Sequence, residues 1–380
     1  MHVRDALYMP QLKWKAGECK ALGTARDAMS GRLLPAFRIP PSGGFDPDEQ
    51  RVLTPLEHIR SFGARLSASW GKRLVFVDAS LVDDDTHATA CHRHPLTELI
   101  ERAWLEGAMA APVVSLQSSS SYIEAVKRYT SANRNWPICL RLSLTDMERL
   151  RSFGELEASV KGFGASAHNT VLLFDGGALH ISDPEPFVHL VSERFAVLAP
   201  RDTWARVFWG STSFPEKPNL KAGVDGRFPR SDWALYQSIV KNGSEFPSIP
   251  MFSDYALEFP SNYKPVRVPP VAHFRYSTET DYWIFKGHST KKPNGFETIF
   301  PVARRLVESG QFFGDAYSLG NKFIANLVLE GVKTGNASTW RWASTDHHIS
   351  LILNQLSALH DVRDHSTATV AAPLKQLQLI

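Results

Sequence analysis

The sequence predicts an α/β protein folded as a (β/α)8 TIM-barrel-like unit with an added C-terminal hairpin and helices. Three observations carry that prediction. Eight short apolar runs recur over the first 260 residues. The stretches between them are long and several read as amphipathic helices. No glycine-rich turn follows the first run, which removes the main support for a doubly wound nucleotide-binding sheet.

The runs are residues 7–13 (LYMPQLK), 33–39 (LLPAFRI), 74–78 (LVFVD), 112–116 (PVVSL), 137–142 (PICLRL), 170–175 (TVLLFD), 205–210 (ARVFWG) and 248–254 (SIPMFSD). They are rich in Val, Leu, Ile and Phe and show little two-residue alternation, as strands covered on both faces do. Parallel strands need crossovers of a dozen or more residues, usually helical. Residues 94–107 (HPLTELIERAWLEG) supply one, with Leu96, Leu99, Ile100, Ala103 and Trp104 at helical spacing and a glycine placed to end it. Residues 121–129, 146–153 and 231–241 read the same way, the last through Trp233, Leu235, Tyr236 and Ile239. Strand–helix alternation repeated eight times is the barrel pattern.

After about residue 260 the pattern changes. Residues 271–277 (VAHFRYS) and 281–286 (DYWIFK) flank a short TET turn and read as a hairpin, and helices are expected near 298–309, 316–331 and 347–360. The expected organisation is a barrel over 1–260, a hairpin and helices over 261–365 packed on it as one unit, and a frayed tail over 366–380.

Composition bounds the function classes. The 380 residues are 43% hydrophobic and 21% charged, which fits a globular chain and excludes a disordered one. A formal net charge of +3 is too small a surplus to argue for direct nucleic-acid binding, and no basic recognition helix is evident. Cys19, Cys91 and Cys139 are few and lack metal-ligand spacing, so a reducing cytoplasm is the expected compartment. The opening MHVRDALYM carries charges where a signal peptide needs an apolar stretch, and no run approaches the roughly 18 apolar residues of a membrane span. There is no G-x-x-x-x-G-K-S/T, no G-x-S-x-G and no H-E-x-x-H, so P-loop, α/β-hydrolase and zincin chemistries lose support. No cofactor is expected.

In parallel barrels ligands sit at the carboxyl ends of the strands. The polar residues there are Lys13 and Lys15, Arg38, Asp78, Gln117, Arg141, Asp175, Ser211, Ser213, Asp254 and Tyr255, and the hairpin adds Arg275 and Lys286. Charges of both signs in or after apolar runs are costly unless paired or hydrated. The set reads either as a polar pocket for an anion or as residues that pair with one another and orient loops. Asp78, Asp175 and Asp254 are the residue types for a magnesium or acid–base site, yet Asp is also a common cap after a strand. His87, Cys91, His92 and His94 have zinc-binding side chains without a recognised interval, and read as a solvated loop. His347 and His348 are expected to open the last helix, one of Ser344, Thr345 and Asp346 capping it, one imidazole inward and the other outward.

The segments YMPQLKWKAGECKAL (8–22), PAFRIP (35–40), CLRL (139–142), LLFDGG (172–177), WIFKGH (283–288) and TWRWASTDHHIS (339–350) resemble, in order along the chain, the phage beta protein family. The resemblance implies a component of the gop–beta–cII type locus of satellite phages, or a bacterial relative: an antitoxin-like regulator that restrains a neighbour-encoded toxic effector in antiphage defence. It implies a protein partner, with a phage product or a nucleotide as the signal sensed. The positions matching the family motifs are Lys13, Lys15, Arg141, Asp175, Lys286, Arg341, His347 and His348. It carries over no catalytic residue, and Arg38 stands where the family pattern has an acid, which puts a shared acid-based mechanism in doubt. The alternative is a barrel enzyme acting on a nucleotide or other phosphorylated metabolite, with Lys13, Lys15 and Arg141 on the anion and Asp78 or Asp175 for metal or proton transfer.

Overall fold

The structure is a computed structural model that describes residues 3–25, 31–43, 45–46, 51–52, 54–85, 93–133, 135–260, 270–291 and 293–360. Its strands are β1 (Tyr8–Lys13), β2 (Ala36–Arg38), β3 (Phe45–Asp46), β4 (Arg51–Val52), β5 (Leu74–Asp78), β6 (Met109–Ser115), β7 (Ile138–Ser143), β8 (Thr170–Ala178), β9 (Arg206–Thr212), β10 (Asp225–Pro229), β11 (Met251–Asp254), β12 (Val271–Ser277) and β13 (Asp281–Ser289). Eight of them close a parallel barrel in the order β1-β11-β9-β8-β7-β6-β5-β2. Every predicted run supplies one barrel strand. Most are buried along nearly their whole length, β5 completely, which is why the runs show no alternation.

The helices are α1 (Ala16–Ala25), α2 (Pro55–Arg60), α3 (Phe62–Trp70), α4 (Pro95–Leu105), α5 (Ser120–Ala132), α6 (Leu144–Arg149), α7 (Phe153–Gly162), α8 (Glu185–Leu198), α9 (Ser231–Lys241), α10 (Phe300–Glu308), α11 (Leu319–Asn326) and α12 (Ala337–Leu359). Helix α4 follows its predicted stripe, burying Leu96, Leu99, Ile100 and Ala103, and Gly107 takes a φ of +77° just past its end. The stretch 146–153 is not one helix. Leu150 is extended at the end of α6 and Ser152 caps α7, so two short helices replace it. One continuous core runs between the strands and helices, with Trp70 and Trp209 fully buried. Burial of each large apolar side chain is worth about 1.5–3 kcal/mol.

The hairpin is β12 and β13, but its sheet has a third member. Strand β10 pairs antiparallel with β13, giving the order β10-β13-β12. This strand, DGRFP, holds three turn formers, Asp225, Gly226 and Pro229, in five residues and so carries little strand signal in the sequence.

Helix α12 corrects the expected start of the last helix. It begins at Ala337, where the Asn336 side chain accepts from the Thr339 amide in a capping box. Ser344, Thr345 and Asp346 therefore lie inside the helix and cap nothing. His347 and His348 are both fully buried, so neither imidazole faces outward. Asp346 instead joins three helices: Thr24 Oγ1 donates to one carboxylate oxygen at 2.5 Å and the Gly320 amide to the other at 2.7 Å.

No helix among the described residues is long and apolar enough to cross a membrane. Cys19 and Cys139 are buried free thiols. Cys91, His87 and His92 lie outside the described residues, as does the tail after residue 360. His94 is described: its Nδ1 accepts from the Leu96 amide at the start of α4, and its Nε2 lies 2.6 Å from Asp83.

Candidate functional site

Barrel register creates the site. Lys13 is the cross-strand partner of Arg38, and Arg38 of Asp78, so three adjacent strand ends carry a cation, a cation and an acid side by side. Two strands further round, Arg141 reaches Asp78, its Nη1 donating to Oδ2 at 2.7 Å. Arg38 Nε lies 3.8 Å from the same oxygen and makes no hydrogen bond. Asp78 also accepts from the Ser80 amide at 3.0 Å. Burial pushes the Asp78 carboxyl up, but Arg141, Arg38 and the Ser80 bond outweigh it and hold the group below its ordinary range. Asp78 in turn raises the already basic Arg141 against the opposing effect of burial.

A second knot centres on Glu258, in the segment after β11. Lys13 Nζ donates to it at 2.9 Å and Arg275 Nη1 at 2.7 Å, and Arg341 Nη2, from α12, bonds the same carboxylate. Burial raises the Glu258 carboxyl, but the three cations reverse this and hold it well below the usual value. Lys15 and the buried Glu18 lie beside the knot, and burial lowers the Lys15 ammonium. Arg275 Nη1 also donates to the Leu257 carbonyl at 2.5 Å. His273, close to Arg275, is held down to about 3 by burial and by that cation.

Asp175 closes the ring on the far side, accepting from Tyr255 Oη at 2.5 Å. A narrow cavity of about 30 Å³ opens among these residues, lined by Gln11, Lys13, Arg38, Asp78, Arg141, Tyr255 and Glu258 together with the apolar Leu12, Ala36, Phe37, Val113, Leu173 and Pro260. Wider clefts lie elsewhere. One of about 760 Å³ is lined by Phe296, Glu297 and Lys333, and one of about 460 Å³ by Lys20, Thr24 and Arg65 between α1 and α3. Neither gathers opposite charges as the barrel mouth does.

The predicted residues therefore divide. Lys13, Lys15, Arg38, Asp78, Arg141, Asp175, Tyr255 and Arg275 converge at the mouth. Gln117 is drawn aside by Asp146, the capping-box acid of α6. Lys286 sits on β13 and donates to the Leu220 carbonyl at 2.5 Å. Ser211 is fully buried, and Ser213 donates to Asp232 at 2.7 Å. Among the described residues no three or more His, Cys, Asp or Glu side chains gather as a metal site.

Asp254, His347 and His348 join a separate buried network between the barrel and α12. Tyr8 Oη donates to Asp254 Oδ1 at 2.5 Å, His348 Nε2 lies 2.8 Å from Asp254 Oδ2, and Ser277 Oγ lies 2.7 Å from His348 Nδ1. Burial raises the Asp254 carboxyl, and His348, Tyr8 and the Ala256 amide together bring it below its ordinary value. The order Asp–His–Ser is that of a hydrolase triad. All three side chains are fully buried, however, so no substrate carbonyl reaches the Ser277 hydroxyl here. His347 stacks on Tyr276 with ring centroids 3.8 Å apart and donates through Nε2 to the Ser277 carbonyl at 2.7 Å.

Glu258 and Glu18 are mouth residues outside the set predicted from the sequence, and Arg341, which enters that set only through the family motifs, is not at a strand end. Glu258 follows the eighth barrel strand and was open to the same reasoning. Arg341 and Glu18 reach the mouth from helices, where no strand-end rule looks.

Fold and site together define a parallel eight-stranded α/β barrel whose mouth is an ion-paired, cation-rich cluster braced by a C-terminal helix. Within that class the chain belongs to the Beta protein family, whose family model matches residues 8–354. No curated protein matches it. Among solved structures it is similar to a protein provisionally described as a lyase/mutase from Burkholderia cenocepacia J2315, with 17% identity over 59% of this chain and 72% of that one and a TM-score of 0.28. It is also similar to triosephosphate isomerase from Bartonella henselae, with 12% identity over 65% and 92% of the two chains and a TM-score of 0.25. Likenesses this distant carry no functional inference, and the barrel assignment rests on the chain's own strand order.

Proposed function

We propose that this chain is an antitoxin-like regulator of an antiphage defence locus, which binds a neighbour-encoded toxic effector and holds it inactive. One observation supports the binding role over the enzymatic alternative: the acids at the barrel mouth are already engaged. Asp78 is paired with Arg141, Glu258 with three cations, and Asp175 with Tyr255. A general acid or base has to be within hydrogen-bond reach of a substrate proton and free to exchange it. Asp78 and Glu258, held low by fixed cations, are poor proton acceptors, and the Asp254–His348–Ser277 chain is closed to substrate.

The test is a growth assay joined to a co-purification. The adjacent gene is induced alone and with this chain, and the chain is then isolated by an affinity tag. The expected outcome is toxicity of the neighbour alone, rescue by the chain, and recovery of the two as one complex. Absence of toxicity, or rescue without a complex, overturns the reading.

A further inference from the structure

We propose that the open groove between α1 and α3 is the docking site for an acidic segment of the partner protein, which lays a small apolar side chain on the groove floor and sets carboxylates against Lys20 and Arg65. The inference rests on the reading of the chain as a protein-binding regulator and names the surface that does the binding.

Unmatched charge is the first ground. Lys20 and Arg65 both line the groove, and no acid does. Neither cation forms an ion pair with an acid among the described residues, and each has an aromatic ring as its side-chain partner instead. At the barrel mouth, by contrast, three cations close on Glu258. Asp346 lies behind Thr24, buried, with its two oxygens bonded to Thr24 and to the Gly320 amide. A rim with two cations and no counter-charge of its own is complementary to an acidic partner.

Preorganisation is the second. The Lys20 ammonium stands 3.7 Å above the centre of the Trp342 ring, and the Arg65 guanidinium 5.8 Å from that of Trp14. Both tryptophans are buried, so each ring is a fixed seat. A ring face holds a cation in place without neutralising it, and less freedom is lost when a carboxylate arrives.

Shape is the third. The floor is made of small side chains, Ala16, Cys19, Gly23 and Ala68. The two helices touch at Gly23, where an added Cβ would lie 3.2 Å from the Ser69 carbonyl oxygen. The hydroxyls are already used, Ser69 donating to the Arg65 carbonyl and Thr24 to Asp346. At about 460 Å³ the groove has room for a few side chains. A small ligand calls for a more enclosed pocket, and a nucleic-acid strand for a longer run of cations. An apolar centre with a polar rim is the anatomy of a protein interface.

The experiment measures the affinity of the full chain for the neighbour-encoded protein by biolayer interferometry, at about 50 and about 300 mM sodium chloride. The parent complex is expected to weaken with salt. Lys20→Glu/Arg65→Glu should bind about a hundredfold more weakly, about tenfold for each reversed charge. Ala68→Trp, which keeps both cations and fills the groove from an exposed position, should bind about tenfold more weakly. Lys241→Glu, an exposed reversal on α9, should bind as the parent does. Thermal melts check that each variant folds, and Ala68→Trp decides the matter if the double reversal does not. Parent-strength binding by the double reversal or by Ala68→Trp overturns this inference and leaves the restraining role standing. An equal loss in Lys241→Glu also overturns it, because net charge and not the groove would then set the affinity. No complex with the parent chain overturns this inference and the restraining role together. Sedimentation of the isolated chain completes the test: a dimer that the double reversal breaks assigns the groove to a second copy and overturns the proposal.

Discussion

Arg141 and Asp78 come from strands separated by one neighbour in the barrel, and their pairing shows what a single charge does there. Asp78 is 4% exposed, with Arg141 as its closest cation. Arg141→Met leaves that carboxylate buried with only the more distant Arg38. Losing one member of a buried pair costs about 3–5 kcal/mol, and the partial exposure of Arg141 reduces the expected loss to about 2–3 kcal/mol. Adding Asp78→Asn should restore much of it, since the stranded charge is then gone. Urea unfolding of the two single variants and the double variant checks this. Losses that simply add would show that the pair is not coupled. Sequence reasoning located both residues and could not decide between pocket and pairing, because separation along the chain, here 63 residues, says nothing about side-chain distance.

At the scale of elements, helix contacts depend on a few glycines that the sequence does not distinguish from turn formers. Gly320, on α11, faces α12 so closely that a Cβ would lie 2.2 Å from the Ala343 carbonyl oxygen. Backbone cannot give way as a side-chain tip does, so Gly320→Ala should cost about 1–3 kcal/mol and part the two helices. Gly162, at the end of α7, has nothing within 4 Å of such a Cβ and no positive φ. Gly162→Ala should be neutral or stabilising by up to about 1 kcal/mol. Thermal melts of both variants check the contrast, and a loss at Gly162 equal to that at Gly320 would refute the contact argument. The barrel strands were legible because burial on both faces leaves unbroken apolar runs. Strand β10 and the early start of α12 were not. The first is short, three of its five residues are turn formers and it is held by pairing to β13, and the second opens with the polar residues Asn336, Ser338 and Thr339.

For the whole molecule, the buried imidazoles tie stability to pH. His347 is held down to about 3, chiefly by burial, whereas in the unfolded chain it titrates near 6.5. Between those values the unfolded chain binds the additional proton. The contribution of His347 is therefore flat above about pH 7 and falls as pH drops from about 6.5 toward 3, at up to about 1.4 kcal/mol per unit. His273 acts in the same direction. Asp78, Asp254 and Glu258, held below their ordinary values, add to the loss only as pH passes below the carboxylate range of about 4. Urea midpoints at pH 7.5, 6.0 and 5.0 isolate the histidines. His347→Gln, which keeps a donor for the Ser277 carbonyl, should show a flatter profile than the parent chain. Identical slopes would remove His347 as a source of the dependence.

The sequence by itself determined the eight barrel strands, the hairpin and most of the charges at the strand ends, because all of these follow from local pattern: apolar runs, their spacing, and which residues close them. Tertiary structure alone decided which charges meet. Closure set Lys13, Arg38 and Asp78 side by side, and α12, packed along α1 and β12, delivered Arg341 to Glu258 while sealing His348 against Asp254. Pairing energies fall steeply with distance and depend on desolvation. Both quantities come into being only when distant segments of the chain are brought together.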